Sequence, residues 1–218
     1  MDIFIDSCDI PTIENLFSTG LVDGVTTNPT LVRKSGKDPI WLYEQLVEIG
    51  IPDISMEVSG SAVEMFNEGL ALSKAFGSHT TIKLPMTDQG LAACTSLSEK
   101  GIRTNVTLIF TPAQAILAAK AGATYVSPFV GRVDDQGFAG LEVVRAIVDV
   151  YARHNVSTKV LAASIRTVQR AVRSFYNGAQ VVTMPPSVFE GMYNHILTDK
   201  GLETFEKDLV MIRDQSQA

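Results

Sequence analysis

The sequence predicts an α/β fold, a (β/α)8 TIM barrel with one extra helix at its carboxyl end. Short apolar runs rich in Val, Ile and Thr alternate with longer amphipathic stretches, a pattern typical of buried parallel strands covered by helices. Eight such strand-like runs occur, each followed by a helical one, which is the count of this barrel. The Gly-rich phosphate loops GxGxxG and GxxxxGK(S/T), expected in the rival doubly wound sheet, do not occur.

Each predicted strand is a short run of apolar and β-branched residues, and each predicted helix has apolar residues at helical spacing. In chain order, the strands are predicted at residues 2–6, 22–26, 54–58, 80–84, 103–109, 124–127, 159–163 and 180–184. The helices are predicted at about 10–18, 39–49, 62–76, 88–99, 112–121, 140–153, 168–177 and 187–195, with a last helix at 201–213.

Start and stop signals support these helices. Asp88 and Thr111 are predicted N-caps, and Thr111 precedes a proline, which is an ordinary first helical residue. Five helical runs are followed by a glycine, as at C′ positions, namely Gly50, Gly77, Gly101, Gly122 and Gly178. No linker or composition shift divides the chain, so one domain is predicted over residues 1–218, with about 201–218 as C-terminal helix and tail.

Composition and charge narrow the classes of function. Hydrophobic residues make up 45% of the chain and charged residues 19%, enough for a sizeable core. The formal charge of −6 argues against binding of nucleic acid or an anionic membrane, which needs a clustered basic face. It does not argue against a phosphorylated substrate, because a few well-placed arginines suffice locally.

Cysteine content and the amino-terminal segment favour a cytoplasmic location. The two cysteines, Cys8 and Cys94, have neither CxxC nor metal-ligand spacing, so no disulfide framework is expected. The opening segment MDIFIDSCDI lacks a basic region followed by an apolar stretch, so no signal peptide is expected. No run of about 18 apolar residues predicts a membrane span.

Polar and ionisable residues follow seven successive predicted strands. In a barrel of this kind, active-site residues lie at the carboxyl ends of the strands and in the loops after them. In chain order these residues are Asp6, Thr27, Asn28, Glu57, Lys83, Asn105, Thr107, Ser127, Arg132, Ser164 and Arg166. A ring containing a lysine, two acids and two arginines predicts an active site there, whereas the eighth strand end, residues 183–186, is less distinctive.

Lys83, flanked by Ile82 and Leu84, is the centre of this ring. One interpretation is a structural ion pair with Asp6 or Glu57, because lysine is rarely buried without a partner. The other is a nucleophile, because an apolar environment favours the free amine that attacks a ketone. Asp6 and Glu57 are likewise either charge compensation for Lys83 or the acid–base groups that Schiff-base chemistry needs, and the two interpretations are compatible.

Arg132 and Arg166 follow the sixth and seventh strands and are candidate phosphate ligands, since arginine offers permanently charged bidentate donors. Ser164 adds a hydroxyl donor. The alternative is pairing with the surface acids Asp134 and Asp135, which is more plausible for Arg132 than for Arg166, whose neighbours are uncharged.

No metal site is expected. The three histidines, His79, His154 and His195, lie off the strand ends and do not cluster. The segment 134–137 resembles a calcium loop only in part and is predicted to be a solvated turn.

Six segments together resemble the transaldolase family, in its short single-barrel branch, which also holds fructose-6-phosphate aldolases. In order, they are Asp6 itself, GVTTNPT at residues 24–30, IKLPMT at 82–87, NVTLIF at 105–110, SPFVGR at 127–132 and AASIR at 162–166. The resemblance covers essentially the whole chain. It implies a cofactor-independent class I enzyme of the pentose phosphate pathway with sugar-phosphate substrates.

The resemblance also assigns roles. Lys83 matches the Schiff-base lysine, and Asp6 matches the group that takes the proton from the C4 hydroxyl. Glu57 and Thr107 match the pair that holds a catalytic water. The remaining matches are substrate ligands: Asn28, Asn105 and Ser127 for the hydroxyls of the donor, and Arg132, Ser164 and Arg166 for the phosphate.

Two positions favour the transaldolases within this branch. Transaldolases are similar to the chain in having Glu57 and Phe129, where fructose-6-phosphate aldolases usually have Gln and Tyr. Phe129 offers no hydroxyl that would help water to protonate the enamine, so the enamine waits for an aldehyde acceptor. The alternatives are a fructose-6-phosphate aldolase and, from another class, a non-catalytic phosphosugar-binding barrel. Short members of the family tend to be pentamers or decamers, so a homo-oligomer is implied.

Overall fold

A computed structural model, which describes residues 1–215, has the predicted (β/α)8 barrel. Eight parallel strands follow one another around the barrel in chain order, and the last pairs with the first. The strands are β1 Asp2–Asp6, β2 Gly24–Thr26, β3 Ile54–Glu57, β4 Thr80–Pro85, β5 Thr104–Ile109, β6 Tyr125–Pro128, β7 Lys159–Ala162 and β8 Val181–Met184. The fold prediction is confirmed, and every predicted strand overlaps an observed one.

Helices cover the barrel and extend beyond the predicted set. They are α1 Ile10–Phe17, α2 Pro29–Ser35, α3 Pro39–Ile49, α4 Ala62–Phe76, α5 Asp88–Ser98, α6 Pro112–Lys120, α7 Val130–Asp135, α8 Gly140–Arg153, α9 Val168–Tyr176, α10 Pro186–Gly191 and α11 Ile196–Gln215. The short helices α2 and α7 were not predicted, and a 3-10 turn, Gly77–His79, precedes β4. Residues 216–218 of the predicted tail lie outside the described part of the chain.

The helix caps agree with the sequence in one case and differ in another. Thr111 is the N-cap of α6, where it forms a capping box with Gln114. The assignment of Asp88 as an N-cap was wrong, because Thr87 caps α5 and Asp88 is its first residue. There the carboxylate still interacts favourably with the helix dipole. All five predicted C′ glycines have positive φ, between 58° and 93°.

The inside of the barrel has an apolar layer beneath its mouth. Phe4, Tyr125, Leu161, Ala163 and Val181 form a buried cluster of their own, separate from the larger core between strands and helices. Gly24, on the neighbouring strand β2, leaves room for the ring of Phe4. A Cβ on Gly24 would lie 2.7 Å from two atoms of that ring.

A polar network adjoins this layer, centred on the buried Asp53 just before β3. Its carboxylate accepts hydrogen bonds from the hydroxyls of Thr81 at 2.7 Å and Tyr125 at 2.9 Å. It also pairs with Arg103 at 3.0 Å. Burial raises the pKa of Asp53, although Arg103 and the two hydroxyl donors oppose the rise. This network was not predicted from the sequence.

The last helix, α11, lies on the surface. Its 20 residues include several exposed apolar side chains, among them Leu202, Phe205, Leu209 and Met211. None of the helices within residues 1–215 combines the length and apolar character needed to cross a bilayer.

Candidate active site

A cavity of about 280 Å³ opens at the carboxyl ends of the strands. Nine of the eleven residues that the sequence singles out as catalytic or substrate-binding line it, namely Asp6, Asn28, Glu57, Lys83, Thr107, Ser127, Phe129, Arg132 and Ser164. Asn105 lies fully buried behind Ser127. Arg166 is not part of the lining, and its side chain is 54% exposed.

Lys83 lies in the wall of this cavity, on β4, with only 5% of its surface exposed. Its ammonium group contacts Oε2 of Glu57 at 2.7 Å and donates to the carbonyl oxygen of Thr27 at 2.8 Å. The strand register aligns Glu57 with Lys83, which explains why this acid, rather than Asp6, makes the ion pair. An ammonium has three N–H donors. Two have partners here, which leaves the third for a substrate.

Asp6, at the end of β1, has a different environment. Its Oδ1 accepts a hydrogen bond from the hydroxyl of Thr26 at 2.9 Å and a longer one, 3.5 Å, from the amide of Asn28. Burial raises the pKa of Asp6, while the positive charge of Lys83 and the two donors oppose the rise. A carboxylate with a raised pKa is a stronger proton acceptor near neutral pH. Asn28 is itself fixed, since its Oδ1 accepts from the backbone of Leu31 as the cap of α2.

A buried hydroxyl without a partner points to a place for a ligand. Within residues 1–215, Oγ1 of Thr107 is a buried side-chain atom without a hydrogen bond. Buried polar atoms are normally paired, so an orphan in a cavity wall is suited to a bound hydroxyl or water. The next residue, Leu108, has φ of 62° at a register shift between β5 and β6, a strained conformation of the kind found at functional sites.

Ser127 and Asn105 form a hydrogen-bonded chain into the barrel. The hydroxyl of Ser127 donates to Oδ1 of Asn105 at 2.7 Å, and the amide of Asn105 donates to Ser55 at 3.2 Å. These contacts fix the amide orientation and leave the oxygen of Ser127, which lines the cavity, available as an acceptor.

The two arginines differ in their surroundings. The guanidinium of Arg132 lies over the ring of Phe129, 4.8 Å from its centroid, at the wall of the cavity. Arg166 instead makes a bidentate ion pair with Asp135, and Asp134 pairs with Arg170 at 3.1 Å. The expectation that Arg132 is the more plausible partner of these acids was therefore wrong. Because α7 lies after Phe129, it brings Asp135 towards the loop that follows β7.

The loops after β6 and β7 approach one another closely. The backbone N–H of Gly131 donates to the carbonyl oxygen of Ser164 at 3.0 Å. A Cβ on Gly131 would lie 2.4 Å from that oxygen and 2.9 Å from Nε of Arg166. Ser164 has φ of 57°, a left-handed conformation that is uncommon for serine. The glycine therefore allows Arg132, Ser164 and Arg166 to lie on one side of the mouth.

Six cavity residues were not selected from the sequence, and two of them, Thr26 and Thr183, contact one another. Thr26 and Thr183 both line the cavity and hydrogen-bond to one another through their hydroxyls at 2.6 Å. A signal for each was present, since Thr26 precedes the selected Thr27 and Thr183 lies at the eighth strand end. The protein also has no group of three or more His, Cys, Asp or Glu suited to a metal ion in the part of the chain that the structure describes.

The chain is similar to known proteins over nearly its whole length. The family model described as Transaldolase/Fructose-6-phosphate aldolase matches residues 3–217. A probable transaldolase from Caulobacter vibrioides is 48% identical over 209 residues, which covers 95% of this chain and 96% of that protein. One from Paracoccus denitrificans is 47% identical with the same coverage. Among solved structures, thiamine phosphate pyrophosphorylase from Pyrococcus furiosus matches with a TM-score of 0.58 and 14% identity, over 88% of this chain and 93% of that one. That likeness concerns the fold alone.

Proposed function

Because the chain belongs to the transaldolase/fructose-6-phosphate aldolase family, we propose that it is a class I transaldolase working through a Schiff base on Lys83. It transfers a dihydroxyacetone unit from a ketose phosphate, sedoheptulose 7-phosphate or fructose 6-phosphate, to an aldose phosphate, glyceraldehyde 3-phosphate or erythrose 4-phosphate. The observation that carries this proposal is a buried lysine that shares the cavity at the strand ends with two carboxylates, one of them in contact with its ammonium group.

The first step forms the Schiff base. Lys83 loses a proton and its amine attacks the C2 carbonyl of the ketose, giving a carbinolamine that expels water. Glu57, 2.7 Å from the nitrogen, is within reach of the proton that leaves. The unpaired hydroxyl of Thr107 is suited to hold the water that is released and later returns to hydrolyse the adduct.

The second step breaks the C3–C4 bond. Asp6 takes the proton of the C4 hydroxyl, the aldose phosphate leaves, and the bonding electrons pass to the iminium, which becomes an enamine. The raised pKa of Asp6, caused by burial, suits this task. The enamine then attacks the carbonyl carbon of the acceptor, Asp6 returns the proton, and hydrolysis frees Lys83. The lysine iminium is the electron sink, so no cofactor is needed.

The remaining groups bind the substrate. Asn28, Asn105 and Ser127 are placed in this proposal at the hydroxyls of the donor, with Asn105 acting from behind Ser127. Arg132 and Ser164 bind the phosphate. Arg166 joins them by exchanging its contact with Asp135 for the phosphate oxygens, an exchange that its exposure allows.

A fructose-6-phosphate aldolase is the second candidate, and the surroundings of Phe129 argue against it. The ring packs edge-on against Phe110, with centroids 5.9 Å apart, and Arg132 covers its face. An apolar ring at this position supplies no donor for protonating the enamine with water. A non-catalytic phosphosugar-binding barrel is a third candidate, favoured only by the ion pair between Lys83 and Glu57.

We also propose that the protein is a cytoplasmic homo-oligomer, a pentamer or decamer of single-domain subunits. The exposed apolar side chains of α11 support association, because several large apolar side chains on one exposed helix are typical of an interface. Cys8 and Cys94 are both free thiols, which is usual in a reducing compartment.

The test measures glyceraldehyde 3-phosphate released from fructose 6-phosphate, with and without erythrose 4-phosphate. Sustained release only with the acceptor is expected of a transaldolase, and equal release without it would identify an aldolase. Borohydride added during turnover is expected to fix the donor fragment on Lys83, as found by mass spectrometry.

Two lysine variants complete this experiment. Lys83→Met is expected to abolish both the adduct and the release. Lys159→Met is the matched control, since Lys159 pairs with Asp2 at the opposite ends of the strands. An unmodified Lys83 in a wild-type protein offered several ketose phosphates would instead favour the binding barrel.

A further inference from the structure

Two threonine hydroxyls and the carboxylate of Asp6 form a row of hydrogen bonds that runs across β1, from β8 to β2. Oγ1 of Thr183, on β8, lies 2.6 Å from Oγ1 of Thr26, on β2. The hydroxyl of Thr26 in turn lies 2.9 Å from Oδ1 of Asp6. Both threonines are buried, each with 3% of its surface exposed. The two strands that carry them flank β1, so the row is built into the closure of the barrel.

The number of hydroxyl protons sets the direction of the hydrogen bonds in this row. A hydroxyl has one proton to donate, and an ionised carboxylate only accepts. If Thr26 donates to Asp6, its oxygen has to accept from Thr183, because a second donor proton does not exist. Thr183 is therefore the donor to Thr26, and its hydrogen bond strengthens the one that Thr26 donates to Asp6.

We propose that Thr183 is a positioning residue for the proton transfer at Asp6, acting through Thr26. This inference rests on the proposed function, in which Asp6 takes the proton of the substrate hydroxyl. Both donors to Asp6, Thr26 and Asn28, act on Oδ1. Oδ2 accepts no hydrogen bond from the side chains of residues 1–215 and is the oxygen left for the substrate.

The hydrogen bond from Thr26 also opposes the effect of burial on the pKa of Asp6. Burial raises the pKa of Asp6, and the hydrogen bond from Thr26 lowers it. The charge of Lys83 and the hydrogen bond from Asn28 also lower the pKa of Asp6, and the charge of Glu57 raises it. The nearby thiol of Cys8 has a pKa raised to about 11, so it stays neutral through the working range.

The contact between Thr183 and Thr26 predicts how substitutions combine. Replacing Thr183 by valine keeps the shape of the side chain and removes the hydrogen bond that Thr26 accepts. The hydroxyl of Thr26 then becomes a weaker donor to Asp6, because hydrogen bonds in a chain strengthen one another. Replacing Thr26 by valine removes the donor to Asp6 itself. If Thr183 acts only through Thr26, adding Thr183→Val to Thr26→Val has no further effect.

The experiment compares kcat, KM and the pH profile of kcat/KM for cleavage of fructose 6-phosphate with acceptor present. For Thr183→Val, kcat is expected to fall roughly ten-fold, less than the contribution of about 10²–10⁴-fold from a proton-transfer group itself, because Asp6 stays in place. KM and borohydride trapping on Lys83 are expected to change less than about two-fold, because the row does not touch the lysine. The acidic limb of the profile is expected to move to higher pH, since Asp6 loses support for its ionised form.

Three further variants separate positioning from packing. Thr183→Ser keeps the hydroxyl and is expected to restore kcat and the acidic limb. Thr158→Val is the matched control, because Thr158 is a buried threonine whose hydroxyl bonds to the backbone of Ala123. It is expected to lose stability but keep the pH profile. The double variant at 26 and 183 is expected to match Thr26→Val.

Labelling of Asp6 by a water-soluble carbodiimide, which needs the protonated carboxyl, provides a readout that does not depend on turnover. The pH midpoint of labelling is expected to be higher in Thr183→Val than in the wild type. An unmoved midpoint, a Thr183→Ser variant as impaired as Thr183→Val, or additive effects in the double variant would overturn the inference. Failure of the proposed function looks different, since then the wild type itself forms no product and no adduct on Lys83.

Discussion

Replacing Asp53 by asparagine is expected to destabilise the protein markedly while leaving the cavity chemistry intact. Asp53 lies at the opposite end of β3 from Glu57. Its carboxylate accepts from Thr81 and Tyr125 and pairs with Arg103. Asparagine has nearly the same shape, so the change removes a charge and one acceptor oxygen rather than packing.

The magnitude follows from the partners that remain. Removing one member of a buried ion pair costs about 3–5 kcal/mol, because the other charge stays buried without compensation. The side chain of Arg103 is 34% exposed and can partly rehydrate, which reduces the cost. One of the two hydroxyl donors also loses its acceptor, a loss of about 1–3 kcal/mol when the group is buried. Together these effects predict a loss of about 3 kcal/mol in the free energy of unfolding.

The assay is unfolding in urea followed by circular dichroism, which gives the free energy of unfolding from the midpoint and slope. Asp38→Asn is the matched control. Asp38 is an exposed N-cap of α3, and asparagine caps equally well, so a change below about 0.5 kcal/mol is expected. A loss for Asp53→Asn that is no larger than for Asp38→Asn would refute the reasoning, and so would loss of borohydride trapping on Lys83 in the folded variant.

Two further predictions concern the mouth of the barrel. Gly131→Ala places a Cβ 2.4 Å from the carbonyl oxygen of Ser164, so the two loops have to separate and the proposed phosphate site widens. KM for phosphorylated donors is expected to rise several-fold with trapping by unphosphorylated dihydroxyacetone unchanged, and an unchanged KM contradicts the assignment of this side to phosphate. Phe129→Tyr adds a hydroxyl beside Arg132 and is expected to increase release of glyceraldehyde 3-phosphate without acceptor, as measured by coupled assay. No gain in this release would count against the role given to the apolar ring.

The barrel was predictable because its signal is repeated. Most strand residues are buried and the longer helices of the barrel pack apolar side chains against them, so the alternation appears eight times and single errors do not change the count. The helices that were missed, α2 and α7, have seven and six residues. That is less than two full turns of helix, too short for the apolar spacing to show.

The site residues that lie at strand ends could be predicted from the sequence. The contacts between side chains on distant strands could not. Lys83 and Asp6 could be selected because a parallel barrel gathers all strand ends at one mouth. The contact of Thr26 with Thr183 joins residues 157 positions apart and needs the register of three strands. The pairing of Arg166 with Asp135 depends on α7, a helix that was not predicted and whose last two residues lie in the predicted turn at 134–137.

The two interpretations of Lys83, structural cation and nucleophile, rest on the same contact. A lysine that is 5% exposed needs a compensating charge, and Glu57 supplies it at 2.7 Å. That distance is also within hydrogen-bond reach, the condition for a group that takes or returns the proton of the amine. A purely structural cation would be expected to have all its donors satisfied. Glu57 and the carbonyl of Thr27 take up two of the three N–H donors, and Lys83 lines the open cavity that Asp6 shares. The arrangement therefore favours a lysine that is stabilised by its partner and still able to react.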